Sequence, residues 1–315
     1  MNKVHLIPQG GNFYKANLHS HSDRSDGLVS PETVKEHYKR NGYSICAYTD
    51  HNVLNYFREL NDPEFLVLAG YEMGIPHNVE HAGYPKTCHI NAIAREPDTA
   101  EYIPRTIKYD FDEINLVIQK MRDAGYFIIL NHPGWSANTA LDYLPLNGID
   151  AMEIYNHGCE VDSNSGDSRQ HYDIMLKSGM KLYCVATDDN HNGVLENPIF
   201  LDDTCGGWIM IKAPSLNHRD VIAALDNGWF YSSTGPEIHA YYIQDGKLCI
   251  NCSPVASVFC KATPIGCVGF HHDKNGNITH SAFDIGSLKN KEPFLRFEIV
   301  DAKGKMAFTN PYYFD

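Results

Sequence analysis

Short apolar runs recur along the first three quarters of the chain, and most of them break off into histidine, aspartate or glutamate. Residues 44–48 (SICAY) end in TDHN, 64–69 (EFLVLA) in GYEMG, 126–130 (YFIIL) in NHPGW, 151–155 (AMEIY) in NHG, and 181–186 (KLYCVA) in TDDNH. Residues 14–18 close an extended segment that opens into HSHSDRSDG, and 208–211 start a further run. Continuous apolar runs of this length read as strands buried on both faces. Between them the spacing turns helical. Ser30 is placed to N-cap a helix through SPETVKEHYKRNG, with Pro31 in its first turn and Gly42 at its stop. Residues 111–124, stopped by Gly125, residues 167–177 and residues 217–227 read as further helices. Strand and helix alternating in this way predict a parallel sheet covered by helices, with function gathered at the carboxyl ends of the strands. An incomplete or distorted (β/α) barrel is the simplest architecture.

The pattern changes near residue 240. KLCINC, SVFCKA and PFLRFEIVDAKGKMAF read as short strands divided by turn signals, with no helical spacing. The expected organisation is a barrel over 1–240 and a small β-rich appendage over 241–315. No internal repeat or low-complexity stretch interrupts either part.

Composition narrows the partners. The chain has 315 residues, 43% of them hydrophobic, which is enough for a large core. Its net charge of -13 leaves nothing to offset phosphate repulsion, so a nucleic-acid duplex is not an expected partner. There is no basic run, no apolar stretch of the roughly 20 residues that span a bilayer, and no signal-peptide core in MNKVHLIPQGGNFYK. The expected location is cytoplasmic, with no membrane partner. Nine cysteines, an odd number, fit free thiols better than a disulfide framework. Cys249 and Cys252 form a CxxC, but Cys260 and Cys267 do not match it as a second pair. Small hydrophobes lining strands is therefore the expected role, ahead of a zinc ribbon.

The histidines alter the picture most, because many of the 17 follow apolar runs. His19 and His21 stand two apart on an extended segment, so both rings can reach one ion. A lone HSH could equally be a solvated loop. Asp26 in the next turn, His51 after Asp50, Glu72 and His132 before a proline tip the balance towards a metal centre. Glu72 is the candidate bridge, since a carboxylate can span two cations and a neutral imidazole cannot. Asp189 and His191 are again two apart, and each can serve one of two adjacent ions. Asp188 should face away, towards the wall or a ligand histidine.

HSHSDRSDG, TDHN, GYEMG, CHINAI, NHPGW and ATDDNH, in this order, resemble the motifs of the PHP superfamily, the polymerase and histidinol phosphatase domain. FYSSTGPEI and KMAFTNPYYF resemble the carbaryl-hydrolase-like metallohydrolases within it. The resemblance implies a distorted (β/α)7 barrel of PHP type with up to three divalent ions. It implies that His19, His21, Glu72 and Asp189 hold one ion. Glu72, His89 and His132 would hold a second, and Asp26, His51 and His191 a third. His89 owes its place to the resemblance alone, because CHINAI by itself reads as a strand with a core histidine. His77 and His81 lie in a loop and are expected to be solvated or part of a lid.

Six histidines and three carboxylates around three divalent ions leave a formal charge of about +3, which suits a phosphate monoester near -2. The expected reaction is hydrolysis of a small phosphate ester by a metal-bridged hydroxide at a trinuclear site. The mixed nitrogen and oxygen donors suit two to three ions of Mn, Fe or Zn better than Mg. His157, or a histidine of the 77–81 loop, is a candidate to protonate the leaving group. Ser233 and Thr234, in YSSTGPEI, either contact substrate or form a turn that packs the tail. Two other readings stand beside this one. The same metals could hydrolyse a carbamate or other carbonyl ester, or the chain could be a non-catalytic, metal-stabilised binding protein.

Overall fold

The structure is a computed structural model and describes residues 3–77, 86–106, 108–262, 267–286, 288 and 292–314. Strands β1 (Lys3–His5), β2 (Asn12–Asn17), β3 (Ile45–Tyr48), β4 (Leu66–His77), β5 (Lys86–Ala94), β6 (Tyr126–Leu130), β7 (Ala151–Asn156) and β8 (Tyr183–Thr187) come first. Helices α1 (Pro31–Arg40), α2 (Phe111–Asp123), α3 (Ala140–Tyr143), α4 (His157–Ser163), α5 (Arg169–Lys177) and α6 (Gly193–Glu196) lie among and after them. Then follow β9 (Trp208–Ala213), α7 (His218–Asp226), β10 (Phe230–Ser233) and β11 (Ile238–Gln244). The chain closes with β12 (Lys247–Val255), β13 (Ser257–Lys261), β14 (Gly269–His272), β15 (Ile278–Asp284), β16 (Phe294–Val300), β17 (Met306–Thr309) and β18 (Tyr312–Tyr313). No helix among the described residues is long and apolar enough to cross a membrane.

The helices form where caps and spacing predict them. Ser30 accepts from the Thr33 amide at the start of α1, Asp110 from the Asp112 and Glu113 amides at α2, and Asn217 from the Asp220 amide at α7. The strands differ from the expected all-parallel sheet. β2–β3, β3–β4, β6–β7 and β7–β8 pair in parallel, but β4–β5 and β5–β6 are antiparallel, as are β2–β9 and β9–β10. The cause is local. β4 ends at His77 and β5 begins at Lys86, an interval shorter than the dozen or more residues that a parallel crossover needs, so the ladder is antiparallel. β4 is also longer than its apolar run, extending to His77.

One large sheet of 14 strands runs β14-β13-β16-β17-β10-β9-β2-β3-β4-β5-β6-β7-β8, with β18 on β16. Alternate residues divide it into two cores. Ala16, Ile45, Ala47, Leu68, Phe127, Ile129, Val185 and Ile209 meet on one face, with Val221 and Leu225 of α7. Met73, Ile90, Ile128, Leu130, Met152 and Ile154 meet on the other, under Ile114, Ile118 and Met121 of α2 and Met175 of α5. The sheet curls enough for the chain beyond β2 to reach the chain beyond β8, through a parallel bridge between Ser20 and Asn190. α7 packs at the far end. There Asp226 accepts from Arg95 Nε at 2.8 Å, and its carbonyl accepts from the Tyr183 hydroxyl at 3.1 Å.

The β-rich tail is present, and it continues the large sheet through β10–β17. A second sheet, β1-β11-β12-β15, covers it around Tyr241, Leu248, Ile250, Phe297 and Ile299. β11 straddles residue 240, and β1 joins the tail's sheet, so chain order and packing order differ here. All nine cysteines are free thiols; Cys249 and Cys252 are buried in β12.

Candidate metal centre

Nine side chains singled out in the sequence converge where the chain leaves β2, β3, β6 and β8, beside the β4–β5 ladder. Their ligand atoms fall into groups within 4.8 Å: His19, His21, Glu72 and Asp189; Glu72, His89 and His132; and His21, Asp26, His51 and His191. His19 Nε2 lies 3.0 Å from Asp189 Oδ1 and 3.2 Å from His21 Nε2. His21 Nε2 is also 3.0 Å from Asp189 Oδ1. Glu72 Oε1 lies 2.8 Å from His89 Nδ1 and 3.3 Å from His132 Nε2, while Oε2 lies 2.9 Å from His51 Nδ1. Asp26 Oδ2 stands 3.4 Å from His51 Nε2 and 3.5 Å from His191 Nε2.

The local backbone explains the convergence. Glu72 and His89 are mid-strand residues, not strand-end residues. Gly74 pairs with His89 across the ladder, and a Cβ at Gly74 would come within 3.1 Å of the His89 ring, so the glycine leaves room for the imidazole. His132 and Asp189 have φ of 24° and 53°, in the left-handed region that non-glycine residues rarely occupy. Strand alternation therefore stops at Thr187, where β8 ends. Asp189 enters the floor through this turn rather than through a period of two. His191 joins His21, Asp26 and His51, its ring stacked 4.5 Å from that of His21.

Electrostatics fit cation ligation. Burial opposes protonation of His19, yet Asp189, Glu72 and Glu153 outweigh it and hold its pKa well above the usual value. Burial likewise opposes protonation of His191, but Asp26 and Asp189 push it up to about 9. Burial works against ionising Asp26, and His191, His21 and His51 overcome it to hold that carboxyl below the usual range. The two Nε2 atoms of His19 and His21 face each other and a carboxylate with almost no solvent access. Imidazole nitrogens and carboxylate oxygens packed this closely fit a divalent cation, which would satisfy them together.

Several supporting residues escaped the sequence reading. Glu153 is fully buried. It accepts from His19 Nδ1 at 2.7 Å, Thr187 Oγ1 at 2.6 Å, the His132 amide at 2.8 Å and Asn156 Nδ2 at 2.9 Å. Both its oxygens are taken by donors, so it fixes the His19 tautomer and leaves Nε2 turned to the floor. A carboxylate inside the apolar run AMEIY was the available signal. Asn131 similarly donates to Glu72 Oε1 at 2.9 Å. Glu153→Gln, which sets an amide against one of these donors, is expected to lower metal affinity about 10- to 100-fold with the fold retained. Metal titration beside circular dichroism checks this; unchanged affinity would remove Glu153 from the centre.

Other residues stand apart. Asp188 does not bond a histidine. It accepts from the Cys205, Gly206 and Gly207 amides at 2.8, 2.9 and 2.8 Å and from the Tyr38 hydroxyl at 2.8 Å. Burial pushes it up to about 6 despite these donors. Asp50 accepts from Ser22, Ser25 and Asn55 and shapes the loop that carries Asp26. The ring of His157 sits 3.1 Å from the Tyr155 hydroxyl and against Gly206. Ser233 donates to the Pro236 carbonyl at 2.7 Å, and Thr234 exchanges bonds with the Met306 backbone. These two form a turn that ties β10 to the tail. His81 falls outside the described residues.

The centre opens into a cavity of about 500 Å³, lined by the candidate ligands Asp26, His51, Glu72, His89, His132, Asp189 and His191 and by Leu28, Trp135, Val161, Asp162, Phe200, Leu201 and Asp203, with Gly158, Cys159 and Gly193. His157, Ser233 and Thr234 are not among the lining residues.

The profile of the PHP domain matches residues 17–192. A crystal structure of a two-domain protein from Bacteroides vulgatus, described as containing a predicted PHP-like metal-dependent phosphoesterase, is similar over 99% of this chain and 98% of that chain, at 15% identity and a TM-score of 0.49. A structure of an amidohydrolase from Chromobacterium violaceum, with bound sulfate and no metal, is similar over 56% of this chain and 87% of that one, at 16% identity and a TM-score of 0.37. No curated protein matches the sequence.

Proposed function

The chain belongs to the PHP domain family, and from that premise we propose that it is a metal-dependent phosphoesterase acting on a small phosphate ester. The curled sheet would serve as the distorted seven-stranded barrel, with the tail from 241 as its appendage. The observation that carries the reading is the sharing of Glu72 between two of the donor groups that floor one cavity.

In this reading His19, His21, Glu72 and Asp189 hold one ion, Glu72, His89 and His132 a second, and Asp26, His51 and His191 a third. When bound, divalent ions supply a water of lowered pKa and positive charge facing the phosphoryl oxygens. Glu72 would belong to both the first and the second of these ion positions, because its carboxylate lies 2.8 Å from His89 and 3.4 Å from both His19 and His21. Glu153 holds His19 in the tautomer that leaves Nε2 unprotonated. Five carboxylates line the cavity, and no lysine or arginine is among its described lining residues. The protein side chains alone would repel a phosphate, so substrate binding must depend on the cations. Histidine-rich donors favour Mn, Fe or Zn.

The test is phosphate release from a panel of phosphate monoesters by protein loaded with each metal. Release that disappears on chelation and returns with Mn, Fe or Zn is expected. Alcohol release from carbamates or carboxylic esters without phosphate release from any phosphoester would favour the carbonyl-ester reading. Full metal loading with no turnover of either class would favour a binding role.

A further inference from the structure

The cavity carries a second chemistry beside the candidate ligands. Leu28, Trp135, Val161, Phe200 and Leu201 line it. Trp135 is 43% exposed, Phe200 49% and Leu201 63%, so large apolar surfaces stand open in the same cavity as the polar centre. Apolar side chains gathered at one opening mark a binding surface, unlike scattered exposure. Two of these rings are held in place. The Trp135 ring packs 5.0 Å from His132 and 5.8 Å from His89. Phe200 lies against Gly193, where a Cβ would come within 3.0 Å of it. The charge is one-sided as well. Apart from the candidate ligands, the charged lining residues are Asp162 and Asp203, both acidic. Asp203 accepts from the His191 amide at 2.5 Å and the Asn192 amide at 3.2 Å, while Asp162 is exposed.

We infer that the ester taken here carries one anionic group, its phosphate, and that its leaving alcohol bears a neutral apolar ring resting on Trp135 and Phe200. This rests on the phosphoesterase reading and narrows its substrate class. A second phosphate or a carboxylate on the leaving group would meet Asp162 and Asp203 and lose hydration with no described cation to offset it. A ring loses water from its faces and gains aromatic contacts. The cavity, about 500 Å³, is of a size that buries most of a small organic ligand.

Phenylphosphonate, methylphosphonate and 2-carboxyethylphosphonate share one metal-binding group and differ only beyond it. Calorimetric titration of the manganese-loaded full chain with each isolates the contribution of the apolar lining. Phenylphosphonate is expected to bind at least about 10-fold tighter than methylphosphonate, from burial of part of one ring. 2-Carboxyethylphosphonate should bind no tighter than methylphosphonate. Trp135→Ala should remove most of the phenyl preference at unchanged metal content, Trp135→Phe should keep it, and Asp162→Lys should raise affinity for the carboxylate compound. Equal binding of the phenyl and methyl compounds, tightest binding of the carboxylate compound, or no binding of phenylphosphonate would each overturn the inference. Turnover is read separately with 2-phenylethyl phosphate and glycerol 3-phosphate. No phosphate release from either, with the binding order intact, would overturn the phosphoesterase reading and the ester with it, and would leave only a ring-binding site beside the metal centre.

Discussion

Glu72→Gln is expected to lower hydrolysis by more than about a thousandfold, equivalent to losing on the order of 4 kcal/mol of transition-state stabilisation. The residue is 1% exposed, and its two oxygens fan out towards five imidazoles. Oε1 is 2.8 Å from His89, 3.3 Å from His132 and 3.4 Å from His19, and Oε2 is 2.9 Å from His51 and 3.4 Å from His21. Burial raises the cost of ionising it, yet His89, His19 and His132 hold its pKa well below the usual carboxylate value. Glutamine keeps the shape but removes the charge and one acceptor. It can no longer bridge, and its amide would point a donor at groups that must bind a cation. β4 should survive, because its ladder with β5 from Gly70–Ile93 to His77–Lys86 is made by the backbone. Elemental analysis should show metal lost while circular dichroism is unchanged. A variant that keeps its metal and its activity would remove Glu72 from the centre.

The neighbouring aspartates should separate function from stability. Asp189→Asn is expected to cost metal and nearly all activity, about a hundredfold or more, because Asp189 Oδ1 is 3.0 Å from both His19 Nε2 and His21 Nε2. Asp188→Asn should leave the ligands in place but lower the unfolding free energy by roughly 2–4 kcal/mol. The reason is its acceptor role. Three consecutive amides, from Cys205 to Gly207, and the Tyr38 hydroxyl converge on its two oxygens, and an asparagine NH2 would meet them donor to donor. Thermal melts and activity, measured on both variants, check the pair. Activity lost in Asp188→Asn at full stability, with Asp189→Asn unaffected, would reverse the two roles.

Much of this was legible in the sequence because ligands follow apolar runs, and apolar runs are what periodicity detects. The 126–130 and 151–155 runs and the helix after Ser30 stand where the pattern put them. The H-x-H of His19 and His21 does bring both rings together. Pairing direction was less legible. A buried run looks the same in a parallel or an antiparallel ladder, and the β4–β5 return has no composition of its own. The strand-end argument for Asp189 and His191 reached two central residues through a rule that the backbone does not follow there, since Asp189 sits at φ 53°. Residues that act on other residues were the hardest to see. Glu153, Asn131 and Asn17 are buried amides or carboxylates whose partners are distant in sequence: Asn17 donates to Asn190 Oδ1 at 3.0 Å across 173 positions. Trp135 and Phe200 belong to loops, where no periodicity marks them.

The central claim is that Glu72 joins a multinuclear metal centre, and anomalous diffraction from crystals of the manganese-loaded protein tests it most directly. At least two anomalous peaks are expected beside the Glu72 carboxylate, one bounded by His19, His21 and Asp189 and another by His89 and His132. Absence of any peak within this cluster, in crystals of protein that hydrolyses phosphate esters at full rate, would contradict the account.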